Sequence, residues 1–129
     1  MKVQGKKAEL SIYADVGFWG VTADSFLKEL KSYGKLDEID LRINSYGGEV
    51  YDGFAIYNDL KDTGAAITVT VTGIAASIAS YIAMAGHEIN IHKNAMLMIH
   101  NPSVLMAGEA RDLRKEANVL DNMRDSAVK

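Results

Sequence analysis

Three short stretches of this 129-residue chain carry residue types that could share one piece of chemistry. Ser77, in Gly73-Ile74-Ala75-Ala76-Ser77-Ile78, offers a hydroxyl among small neighbours, so another backbone could come close. His100 ends the apolar run Ala95-Met96-Leu97-Met98-Ile99 and precedes Asn101-Pro102. Gly47-Gly48 follows Ile43-Asn44-Ser45-Tyr46, and two adjacent glycines permit positive φ and expose backbone N–H groups. A hydroxyl, a proton acceptor and preformed N–H donors are what acyl transfer needs. The hydroxyl is a poor nucleophile until a base takes its proton, and the charge that develops on the carbonyl oxygen needs donors already in place. The N–H of Ile78, next after the serine, is a natural second donor. Each stretch also has an ordinary reading. A serine at a helix start is usually a cap, a Gly-Gly pair is a turn, and a histidine at a strand end can simply bond a carbonyl.

The elements that would position these residues are legible. Ile67, Val69 and Val71 alternate with threonines, the period of a strand buried on one face, and this strand is expected over Ala66–Thr72. Ile78 to Ala85 is rich in helix formers and is followed by Gly86, suited to a C-terminal stop. Ser77 therefore falls at a strand-to-helix turn, at the start of a buried helix. Earlier, Ala8–Ala14 and Glu38–Asn44 alternate as strands. Between them Thr22 or Asp24 can cap a helix to Ser32, and Val50–Lys61 reads as a second helix. His87–His92 is a short strand in which His87 and His92 have the character of surface residues. Glu109–Lys129 is a long helix with apolar or small residues at Met106, Ala110, Leu113, Ala117, Leu120 and Ala127. Alternating strands and helices predict parallel strands with crossover helices, an α/β domain whose sites gather at the carboxyl ends of strands. Asn44–Gly48, Gly73–Ser77 and Ile99–Pro102 are three such ends.

Composition narrows the partners. Apolar residues make up 48% and charged residues 24%, ordinary for a globular domain, and the length suggests a single one spanning residues 1–129. The net charge of −3 and the absence of a Lys/Arg run argue against nucleic acid. There is no cysteine, hence no disulfide and no thiolate metal site. The Gly73–Gly86 run is too short to span a bilayer, and no secretory pattern follows Lys2, Lys6 and Lys7. No metal, cofactor or membrane contact is expected, and the expected location is cytoplasmic.

Ile43-Asn44-Ser45-Tyr46-Gly47-Gly48-Glu49-Val50, Gly73-Ile74-Ala75-Ala76-Ser77 and Met98-Ile99-His100-Asn101-Pro102 resemble, in order and separation, the three signature blocks of the Clp protease proteolytic subunit family, ClpP. Tyr46, where that family commonly has proline, is similar to the phage- and prophage-encoded relatives, several of them head-maturation proteases. The resemblance implies a ClpP/crotonase-like fold, a repeated β-β-α spiral with layered sheets and a long C-terminal handle helix. It implies a serine endopeptidase with Ser77 as nucleophile, His100 as general base and then acid, and the N–H groups of Gly48 and Ile78 as oxyanion hole. Gly47 would shape the turn, and Glu49 and Val50 would begin the rail for an extended peptide. Implied partners are a peptide or protein substrate, further copies of the chain in homo-oligomeric rings and, in housekeeping relatives, a separate ring ATPase. This chain has no phosphate-binding loop of its own.

The family's triad acid lies beyond the handle helix, and 29 residues (129 − 100) follow His100 here. Asp112, Asp121 and Asp125 do not match its motif, so no acid is assigned and the C-terminal part of the domain is expected to be missing. Such a chain would hold its histidine poorly and is expected to have weak activity or none. Two alternatives stay open: a crotonase-like enzyme binding acyl-CoA thioesters, which would not need Ser77 and His100 together, and an inactive ClpP-like scaffold subunit.

Overall fold

The computed structural model describes residues 6–99 and 110–127. The contacts divide the chain into two units, residues 1–99 and 100–129. In the first unit the order is β1 (Lys7–Ile12), α1 (Ala23–Ser32), β2 (Glu38–Ser45), α2 (Val50–Asp62), β3 (Ala66–Ala76), α3 (Ile78–Ala83), β4 (Glu88–Ile91) and β5 (Met96–Met98). Among the described residues every strand pairing is parallel, in the order β1-β2-β3-β4 with β5 also on β3. The expected α/β class with parallel strands and intervening helices is what forms.

Alternation explains the sheet. Ala8, Leu10 and Ile12 of β1, Ile39, Leu41 and Ile43 of β2, and Ile67, Val69 and Val71 of β3 are all buried and stand in register across the three strands. Lys7, Glu9, Asp40 and Arg42 point to the other face, where Lys7 pairs with Asp40 at 3.5 Å. Parallel sheets are usually covered on both faces; among the described residues of this unit, this face is polar and carries no covering helix. Phe26 and Leu30 of α1, Ile56 and Leu60 of α2, and Ile78, Ala79 and Ile82 of α3 close the buried face. Tyr57 and Phe54 of α2 pack on Tyr81 of α3, with ring centroids 4.7 and 5.0 Å away.

The helix ends follow local chemistry. Thr22 caps α1 through a full capping box: its Oγ1 accepts from Ser25 N at 3.0 Å and the Ser25 Oγ accepts from Thr22 N at 3.1 Å. Gly34 and Gly64, at φ 73° and 70°, end α1 and α2 in the left-handed conformation that glycine allows most readily.

Two expectations are revised. β3 runs four residues past Thr72, so Gly73 lies inside the strand rather than beyond its end. Helix α3 ends at Ala83, and Gly86 is not its left-handed stop. A Cβ on Gly86 would stand 2.8 Å from the Val69 Cγ2, so glycine there permits close packing on β3. In the second unit, α4 (Ala110–Ala127) is an 18-residue helix with Arg124 beside Asp121 and Asp125 at 3.6 and 3.4 Å. Met106 lies outside the described residues.

Candidate active site

β3 delivers Ser77 to the rim of the sheet. The residue has φ 57° and ψ −127°, and it is the sole non-glycine residue at positive φ among the described residues. Backbone held in so sparsely populated a region costs on the order of 1–3 kcal/mol and persists only where its surroundings impose it. Here the surroundings are explicit. The Ser77 N–H donates to the Met98 carbonyl at 2.9 Å, tying the turn to the end of β5, and the Ser77 carbonyl accepts from Ser80 N at 3.0 Å. The Ser77 side chain makes no capping hydrogen bond to α3, so the ordinary cap reading does not describe it.

The glycine turn after β2 lies against this serine. Gly47, at φ 100°, is so close that a Cβ on it would stand 2.7 Å from the Ala76 carbonyl oxygen, 2.8 Å from the Ser77 Cβ and 3.2 Å from the Ile78 N. Two sequence-expected groups 30 residues apart are thus in contact. Ser45, almost fully buried, shapes the turn: its Oγ accepts from Gly47 N at 3.1 Å. On the outer side Val16 bridges the turn. Its N–H donates to the Gly47 carbonyl at 2.8 Å and its carbonyl accepts from Glu49 N at 2.9 Å. A parallel bridge of this kind uses the groups of residues 47 and 49 and turns the Gly48 N–H away from Val16. Among the described residues neither the Gly48 N–H nor the Ile78 N–H has a hydrogen-bond partner. Gly48, at φ 146°, tolerates no side chain, because a Cβ would collide with the Val16 carbonyl.

The remaining expected residues are placed as follows. Glu49 is the N-cap position of α2, with its N–H committed to Val16, and Val50 is the first residue of that helix, half-buried. Ile78 is buried and fixed by α2: a Cβ on Gly53 would collide with the Ile78 side chain. His100 lies outside the described residues. His87 is exposed, as expected of a surface residue, and it also has a backbone partner. Its Nδ1 accepts from Ile67 N at 3.0 Å, at the opposite end of β3 from Ser77. His92 is exposed.

Residues around the turn that carried no expected role include Val16, Ser45, Gly53 and Tyr13. The Tyr13 hydroxyl and the Thr72 Oγ1 are 2.6 Å apart, and this bond, followed by Arg42, holds the phenol below its ordinary pKa. Among the described residues no cluster of His, Asp or Glu could hold a metal, and no helix is long and apolar enough to cross a membrane.

A strand that ends in a strained serine beside a glycine turn, on a parallel α/β sheet, is an arrangement suited to acyl transfer. The chain belongs to the Clp protease family, whose model matches residues 22–129. It is similar to the ATP-dependent Clp protease proteolytic subunit of Deinococcus radiodurans, with 35% identity over 101 residues, 77% of this chain and 50% of that protein. The chain thus spans about half the length of that relative.

Proposed function

We propose that the protein is a serine-type endopeptidase that works as a subunit of a homo-oligomeric, self-compartmentalising ring. The observation that carries this reading is the contact between the Gly47-Gly48 turn and the positive-φ Ser77, whose hydroxyl is not spent on a cap. Membership of the Clp protease family favours a peptidase over an acyl-CoA enzyme.

In this mechanism the Ser77 Oγ attacks the carbonyl carbon of the scissile peptide bond while the His100 imidazole takes its proton. The oxyanion of the tetrahedral intermediate is held by the N–H groups of Gly48 and Ile78, neither of which has a partner among the described residues. Breakdown expels the amine, which takes the proton from His100. Water, activated by the same imidazole, then repeats the sequence on the acyl-enzyme. Support for His100 is connectivity: it follows by two residues Met98, whose carbonyl binds the Ser77 N–H. The acid of the triad is left unassigned.

The relative is named an ATP-dependent proteolytic subunit, and we extend to this chain a protein substrate, an oligomer built partly through α4 as a handle, and a separate ATPase partner in the cytoplasm. Tyr46 supports placing it with the phage-type head-maturation enzymes. A fluorophosphonate probe should label Ser77 of the native protein, and Ser77→Ala should abolish both labelling and peptide cleavage. Cleavage that survives in the alanine variant would refute the assignment. Ring formation without labelling would establish an inactive scaffold instead.

A further inference from the structure

We propose that Asn44 is a positioning residue for this site, holding open a bulge in β3 that sets which residue of β3 meets the glycine turn. The inference rests on the reading of Ser77 as nucleophile.

The pairing of β2 with β3 changes register at one place. Ile43 is opposite Val71, an offset of 28 residues, whereas Ser45 is opposite Ala75, an offset of 30. Asn44 alone on β2 therefore faces Thr72, Gly73 and Ile74 on β3. Carried forward, the first register would set Gly47 against Ala75. The second sets it against Ser77, which is where the contact is found. The two extra residues of β3 decide whether a serine or an alanine meets the turn.

A bulge leaves ladder groups unpaired, and here side chains replace them. The Asn44 Oδ1 accepts from Ile74 N at 3.1 Å, supplying an acceptor where the neighbouring backbone has none in register. Thr72 Oγ1 donates to the Ile43 carbonyl at 3.4 Å and is itself braced by Tyr13. Gly73 is required by the same arrangement, since a Cβ on it would collide with the Asn44 Oδ1. On its other side β3 changes partner across the same stretch, from β4 along Thr68–Val71 to β5 along Ile74–Ala76. Among the described residues no strand on either side carries an uninterrupted register past Gly73, so the Asn44 carboxamide is the clamp that fixes β3 there.

The test uses Asn44→Ala, Asn44→Asp, Gly73→Ala and the double variant Asn44→Ala/Gly73→Ala in the full chain. The rate of fluorophosphonate labelling at Ser77 is measured well below each melting temperature, alongside a crystal structure of Asn44→Ala. Asn44→Ala should label roughly tenfold to a hundredfold more slowly, the scale of a misplacement of about 1 Å, with Ser77 displaced from Gly47. Asn44→Asp, which keeps an acceptor oxygen, should stay within about threefold of the parent. Gly73→Ala should be as slow as Asn44→Ala, and the double variant no slower than either, because the colliding carboxamide is gone. Wild-type labelling of Asn44→Ala, or an Asn44→Ala structure with Ser77 still against Gly47, would overturn the proposal. If the parent protein itself does not label, the reading of Ser77 fails, and the Asn44→Ala structure alone decides whether Asn44 sets the register.

Discussion

Gly47 and Ser77 are packed so closely that no side chain fits between them: the nearest approach of a Cβ on Gly47 would be 2.7 Å to the Ala76 carbonyl and 2.8 Å to the Ser77 Cβ. Gly47→Ala should therefore fail twice over, through the clash and through the cost of an L-residue at φ 100°. We expect a loss of about 2–4 kcal/mol in denaturant unfolding and fluorophosphonate labelling below detection. Gly64→Ala is the matched control, with φ 70° but nothing within 4 Å. It should lose about 1–2 kcal/mol and label at the parent rate.

Helix propensity and packing pull in opposite directions at Gly53. In a helix, alanine is favoured over glycine by about 1 kcal/mol, but a Cβ here would drive into Ile78. Overpacking of a filled core costs about 1–3 kcal/mol, so Gly53→Ala should lower the melting temperature. A rise would show that α2 can retreat from α3.

Removing the α1 cap tests a local feature far from the site. Thr22→Ala deletes the acceptor for Ser25 N and should cost about 1 kcal/mol. The labelling rate at Ser77, measured well below the melting temperature, should not change.

Asp59 gives a pH-dependent prediction. Burial first, then the nearby Asp62, raise its pKa above its ordinary value, with Lys31 opposing them. A carboxyl whose pKa is raised on folding stabilises the fold below its unfolded pKa, and that advantage is lost as pH rises through the folded value. Asp59→Asn should thus raise the melting temperature at pH 7 and give no rise at pH 3. Equal shifts at both values would mean that its titration does not couple to folding.

Much of this arrangement could be read from residue order because the information is local. Ile67, Val69 and Val71 alternate because one face of β3 is buried, and the site falls at strand ends because glycine and small residues cluster there. What escaped was tertiary. Gly73 reads as the end of its strand until Asn44, on another strand, is seen to fill the ladder that the bulge leaves open. Gly86 reads as a helix stop until Val69 is found against it. Val16 carries no signature at all, since its part in holding the glycine turn is played by its backbone.

β3 is bonded to β2 along one edge and to β4 and then β5 along the other. Its central amides can reach solvent only if the sheet comes apart, so they should exchange for deuterium as slowly as global unfolding permits. Fraying of β1 or α1 would leave them protected. Ser77 thus follows the strand expected to let go last, and any motion at the candidate site is expected to come from the chain around it.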